Sequence, residues 1–211
     1  MSNSLSEGPF QVFTAAGYTV YKSNDNYNFT KKDMNNINSE DKSFGIGNML
    51  SDNTYILNEE KYNDIKKFID FHIERYTKDI LKVSNDNKIY ITQSWLNYSK
   101  PKMNHHQHSH PNSFISGILY IQSNEKCPTA FIKNNSMFSV IPKFTEWNPH
   151  NSGMQYIIQS VGGLLLFPST LNHMVPSFEG ESSDVRITLS FNTYVKGKIN
   201  QLNDKLTYLD L

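Results

Sequence analysis

The sequence predicts a mainly antiparallel β protein, a barrel or sandwich, with an amphipathic helix on its N-terminal side. Three observations lead there. Between residues 88 and 195, seven or so short β-branched and aromatic runs alternate with Pro, Gly, Asn and Ser clusters, and no helical period separates them. Residues 59–82 show the one sustained helical period. At 211 residues with no evident linker, the chain fits a single domain with an elaboration.

Residues 1 to about 57 are polar and punctuated, with Asn-rich stretches at 24–28 and 35–38. The apolar pieces Phe10–Phe13 and Tyr18–Val20 suggest one or two early strands. In the helix, Tyr62, Ile65, Ile69, Ile73, Tyr76 and Ile80 recur at three- and four-residue steps between charged residues. Asn58 is its expected N-cap, ahead of the acidic Glu59 and Glu60, and Ser84–Asn87 ends it. Strands are then expected over 89–96, 114–122, 129–132, 136–141, 155–161, 163–168 and 185–195. Pro111, Gly117, Pro168 and Pro176 read as turn and strand-end punctuation. One domain, 1–211, thus divides into an N-terminal helical or irregular support (1–88), a β core (89–195) and a C-terminal extension (196–211).

Twenty Lys+Arg balance twenty Asp+Glu, so a broad electrostatic footprint for nucleic acid or anionic lipid is absent. The longest tight apolar run, Leu164–Phe167, is far short of a bilayer span, and the first ten residues lack a signal-peptide pattern. The lone Cys127 cannot form an internal disulfide and, beside only Lys126, is not read as a nucleophile. The expectation is a cytoplasmic protein with no nucleic-acid and no membrane partner. Eighteen lysines stand against two arginines, Arg75 and Arg186. Where lysine is the default cation, an arginine marks a place that needs a planar, bidentate donor.

The chemistry concentrates in NHHQHSHPNS, where His105, His106, His108 and His110 lie within six residues. In an extended chain His106, His108 and His110 share a face, and two imidazoles at i and i+2 can bind one metal ion. Imidazole suits Zn, Cu, Fe and Ni alike. The proximal pair is either His106/His108 or His108/His110. A third ligand must come from elsewhere: His150 sits in a turn-like stretch and reads as a surface residue, whereas His173 follows a buried-looking strand. Thirteen residues on, Arg186 opens a strand in which Arg186, Thr188, Ser190 and Asn192 alternate with Ile187, Leu189 and Phe191. Trp95 and Asn97, on the strand entering the cluster, are candidates to line a pocket; Ser113 and Ser116 are expected to satisfy backbone rather than to catalyse.

HSHPNSFISGILYI, GGLLLFPSTLNHMVPSFEG and RITLSFN together resemble the iron(II)/2-oxoglutarate-dependent oxygenase superfamily. More narrowly, they resemble a subfamily met in marine bacteria and their phages, with H-x-H-P…S-G-x-x-Y and F-P-S-x-L-x-H-x-V-P…R-x-S-x-S-F-N motifs. The resemblance covers about residues 93–193. It implies a double-stranded β-helix (jelly roll) flanked by N-terminal helices. It implies His108, His110 and His173 as metal ligands, with Arg186, Thr188 and Tyr120 holding 2-oxoglutarate. A third imidazole replaces the carboxylate usual in the superfamily. The implied cofactors are Fe(II), 2-oxoglutarate as co-substrate, and O2. The implied reaction hydroxylates an unactivated C–H bond and releases succinate and CO2. The substrate would be a peptide, as in prolyl hydroxylation, or a small molecule. A homodimer is an option, and a phage-borne gene would place the protein in the host cytoplasm. Two rivals stand beside this reading. One is a cupin-type metal enzyme without 2-oxoglutarate, which would usually show an acid within residues 111–119, where none occurs. The other is a binding module without metal.

Overall fold

The computed structural model describes residues 10–15, 17–123, 125–133, 139–148, 150–199 and 209–211. Its strands form two antiparallel sheets. The larger runs β1 (Phe10–Ala15), β2 (Tyr18–Ser23), β10 (Leu164–Pro168), β7 (Ile115–Gln122), β12 (Arg186–Ile199), β5 (Asn87–Ser99), β4 (Met49–Ser51), β3 (Lys42–Phe44), with β13 (Leu209–Asp210) pairing on the end of β12. The smaller runs β6 (His105–His108), β11 (His173–Val175), β8 (Thr129–Ile132), β9 (Met154–Ile157). This is the jelly roll, with helices preceding most of the sheet strands.

The middle of the large sheet is buried on both faces, which explains why its strands read as unbroken apolar runs. In β10, Leu164 and Leu166 join the core under the helices, while Leu165 and Phe167 pack towards the small sheet. In β7, Leu119 and Ile121 take the first side, Ile118 and Tyr120 the second. α2 (Asn63–Arg75) buries Ile65, Ile69 and Ile73 on this sheet, against Leu96, Leu189 and Phe191 among others. Gly117 is not punctuation. It lies mid-strand opposite Phe191, whose ring reaches within 2.1 Å of where a Cβ would stand. Only glycine leaves that ring its place.

Several boundaries differ from the sequence reading. The helix is built in three pieces: short 3-10 turns at Ile56–Asn58 and Glu60–Tyr62, α2, then a π segment at Tyr76–Ile80. Asn58 does not cap it. Glu59 is engaged by Lys61 at 3.0 Å and by Asn53, and Tyr62 is drawn into the core, so the α turn starts later. A second helix, α1 (Lys31–Asn38), was signalled by Thr30 and Asp33, which form a reciprocal capping box. The early region also supplies strands to both edges of the large sheet, so it is less irregular than its composition suggests. The strand expected at 136–141 falls partly outside the described residues, and its described part, 139–141, is not a strand. β12 runs on through the expected extension to Ile199.

Candidate metal centre

β6 and β11 are neighbours in the small sheet, with His173 directly opposite His108. His110 lies just beyond β6, its backbone N–H tied to the Ser169 carbonyl at 2.9 Å. One ligand-capable nitrogen of each of His108, His110 and His173 lies within 4.8 Å of the others. His173 donates from Nδ1 to the Leu171 carbonyl (3.0 Å), and His108 donates from Nδ1 to the His106 carbonyl (2.8 Å). A carbonyl can only accept, so in both rings Nε2 keeps its lone pair. His110 stacks on Trp95, centroids 5.8 Å apart, and hydrogen-bonds Asn192, which accepts from Ser116 Oγ at 2.9 Å. Ser116 therefore supports a site residue rather than backbone. Ser113 does donate to backbone, at Ile115 and Thr193.

Burial pushes His110 down to about 4, holds His173 well below the ordinary histidine range and lowers His108; for His110 and His173 the neighbouring imidazoles add to the effect. At neutral pH all three rings are uncharged, the form that ligates a metal. Among the described residues no carboxylate joins this cluster. His105 stacks on His108 at 4.3 Å and is held down at about 3, chiefly by burial. His106 is exposed and contributes its carbonyl. His150 is exposed in a turn.

The second feature is Arg186, only 2% exposed. Its NH2 donates to Thr129 Oγ1 (3.0 Å) and its NH1 to Thr188 Oγ1 (3.4 Å), while the guanidinium lies 5.1 Å above the Tyr120 ring. Tyr120 Oη and Thr129 Oγ1 are 2.6 Å apart. No carboxylate pairs with Arg186 among the described residues, and its Nε has no partner. Ser99, its cross-strand neighbour on β5, buries a hydroxyl that is likewise unpartnered. A buried cation without a counter-ion costs several kcal/mol unless a ligand brings the negative charge. Thr129 and Ser99 escaped the sequence reading because only strand pairing brings them to Arg186.

The polar side of β12 thus faces inward rather than to water, with Asn192 at the histidines and Arg186 at the far end of one row. Residues 93–192 match the family model described as "Putative 2OG-Fe(II) oxygenase". Over that segment the chain is similar to the 2OG-Fe(II) oxygenase family. Among solved structures, an oxidoreductase of the 2OG-Fe(II) oxygenase family from Burkholderia pseudomallei superposes with TM-score 0.55 at 9% identity, covering 82% of this chain and 83% of that one. HygX from Streptomyces hygroscopicus, solved with nickel, 2-oxoglutarate and hygromycin B bound, gives TM-score 0.52 at 10% identity over 88% and 82%. At such identities the likeness is one of fold. No curated protein matches the chain.

The cofactors that this similarity implies are Fe(II) and 2-oxoglutarate, with O2 as co-substrate. Its residues fit both. Nε2 of His110 lies 3.3 Å from Nε2 of His173. Neighbouring nitrogens bound at about 2.1 Å to one octahedral ion stand roughly 3 Å apart. The charge that Arg186 lacks is the charge a dicarboxylate carries.

Proposed function

We infer that this oxygenase is a hydroxylase in which His108, His110 and His173 hold the iron and Arg186 holds the distal carboxylate of 2-oxoglutarate. Thr188, Thr129, Tyr120 and Ser99 line that end. The observation that carries the reading is a buried, counter-ion-free guanidinium on the same inward row as the residue that orients His110. The bound iron, with 2-oxoglutarate and O2, supplies the oxidation: R–H + 2-oxoglutarate + O2 → R–OH + succinate + CO2.

The chain's own residues contribute binding and orientation. The Leu171 and His106 carbonyls fix the tautomers of His173 and His108, so Nε2 faces the metal without a proton to lose. Trp95 and Asn192 hold the His110 ring. Phe131 and Phe167 pack around His173 and keep water from that side. The Arg186 fork, with hydroxyls beside it, sets the direction of the co-substrate. Three neutral ligands leave the metal one positive charge richer than a two-histidine, one-carboxylate set would. The substrate is a peptide or small molecule presenting an unactivated C–H bond.

The test is a 2-oxoglutarate titration of the anaerobic Fe(II) protein, following the metal-to-ligand charge-transfer band, with succinate measured after air is admitted. Iron binding without a 2-oxoglutarate-dependent band would return the protein to the cupin-type alternative.

A further inference from the structure

β6 carries one half-buried histidine, His105, outside the candidate ligand set. In a regular strand, residues three apart point to opposite faces, so His105 should turn away from His108. The register against β11 prevents that. His173 pairs with His108 and Val175 with His105, so three steps along β6 match two along β11. The extra residue is a bulge, and a bulge re-aims the side chains beside it. His105 and His108 therefore share a face: their rings stack with centroids 4.3 Å apart and planes at 28°, while His106 and Gln107 between them are exposed.

Cross-strand rows fix where His105 stands along the site. His108, His173 and Phe131 form one row across β6, β11 and β8. Met174 faces Ala130, so the next row sets His105 and Val175 level with Thr129, the residue that accepts from Arg186. The first row holds two of the three candidate ligands and the second reaches the guanidinium; two strand residues, about 7 Å, separate them. His105 belongs to the second row but lays its ring against His108 in the first, and the Arg186 charge acts on it there. His108, His110 and His173 each have a hydrogen-bond partner in the chain. His105 has none among the described residues, and it is half-buried rather than sealed off. A neutral imidazole offers one N–H and one lone pair. What bridges a metal ion and a guanidinium without a counter-ion is an anion, and an anion takes the N–H.

We propose that His105 is a further co-substrate residue, donating its ring N–H to the carboxylate that 2-oxoglutarate presents at the metal end, opposite the end held by Arg186. That role rests on the hydroxylase reading above, since it takes the same 2-oxoglutarate, but its test does not depend on turnover.

Two ligands separate the two ends: 2-oxoglutarate, and 2-oxopentanoate, which keeps the chain but has a methyl in place of the distal carboxylate. Each is titrated into the anaerobic Fe(II) protein, wild type and variants, following the metal-to-ligand charge-transfer band, with iron affinity measured separately. His105→Phe keeps a ring against His108 and removes the donor. It should weaken both ligands about tenfold, as one lost hydrogen bond implies, and leave iron affinity within about twofold of wild type. His105→Gln or His105→Asn, which restores an N–H without the ring, should recover most of that loss. Arg186→Ala should weaken 2-oxoglutarate alone. Unchanged 2-oxoglutarate affinity in His105→Phe, a loss confined to 2-oxoglutarate, a loss that neither amide recovers, or a fall in iron affinity overturns the proposal. A wild type without a charge-transfer band, or 2-oxoglutarate binding indifferent to Arg186→Ala, is instead a failure of the hydroxylase reading, and the role of His105 falls with it.

Discussion

Two regions of this molecule bury histidine, and they do so for opposite ends. His72, on α2, is fully buried with Nδ1 2.5 Å from the Tyr21 hydroxyl and Nε2 3.4 Å from the Asp25 carboxylate. Phe68 and Phe71 pack edge-on around it. At the candidate metal centre, His108 and His173 satisfy Nδ1 with backbone carbonyls, and Nε2 of His173 meets the ring nitrogen of His110 rather than an acid. Burial lowers the basicity of His72 as it does that of the triad. Burial and a depressed pKa therefore do not distinguish a structural histidine from a ligand. What distinguishes them is what faces the second nitrogen, a carboxylate at 3.4 Å for His72 and another imidazole for His173. Arg186 follows the same rule: unlike Arg75, which pairs with Asp79 at 2.9 Å, it is buried with no acid beside it among the described residues.

The contrast can be broken most directly by exchanging the roles. His173→Ala should lower Fe(II) affinity by at least about 100-fold, more than the loss of an outer partner costs, whereas His72→Ala should leave iron stoichiometry intact. The latter should instead cost about 2–4 kcal/mol of stability by chemical denaturation. Retained full affinity in His173→Ala would remove it from the ligand set.

Next in size is the carboxylate end. Arg186→Ala should weaken 2-oxoglutarate binding by about 2–4 kcal/mol, roughly 30- to 1000-fold, with iron still bound, and Arg186→Lys should fall between. Without co-substrate, Arg186→Met should hold or raise Tm, because a counter-ion-free cation has gone. The same charge removal at Arg75 should not. An unchanged 2-oxoglutarate Kd in Arg186→Ala would falsify the clamp.

A smaller effect is expected from the support of His110. Asn192→Ala should weaken Fe(II) binding about tenfold, as loss of an orienting partner does. Smaller still, His106→Ala should leave iron affinity within about twofold, since its side chain is exposed and its carbonyl is retained. If it abolishes binding while His110→Ala does not, the proximal pair is His106/His108.

The pH dependence follows from the same geometry. A histidine whose folded pKa lies below its unfolded value of 6.5 favours folding in its neutral form. That contribution is complete above pH 6.5 and is lost as pH falls towards about 4 for His110. Metal-free protein should therefore lose stability between pH 6.5 and about 4, and Fe(II) affinity should fall in the same window as protons compete for the ligands. Chemical denaturation and iron titration across that range measure both.

Much of the architecture was written in local pattern. The helical period of Ile65, Ile69 and Ile73 and the apolar runs of β7 and β10 needed no partner to be read, because amphipathic spacing is a property of consecutive residues. The His-x-His spacing narrowed the proximal pair to His106/His108 or His108/His110, and the rarity of arginine drew attention to Arg186. Other features depend on strands distant in sequence. Gly117 is glycine because of Phe191, Thr129 and Ser99 come to Arg186 only through register, and Asn48 reaches Asn97 only because its strand pairs with β5. Residue type and spacing are local, so the side chains able to do chemistry could be picked out from the order of residues alone. Which buried polar atoms go without a partner could be seen only once the strands were packed, because a donor or acceptor is satisfied by whatever the fold brings within about 3 Å of it.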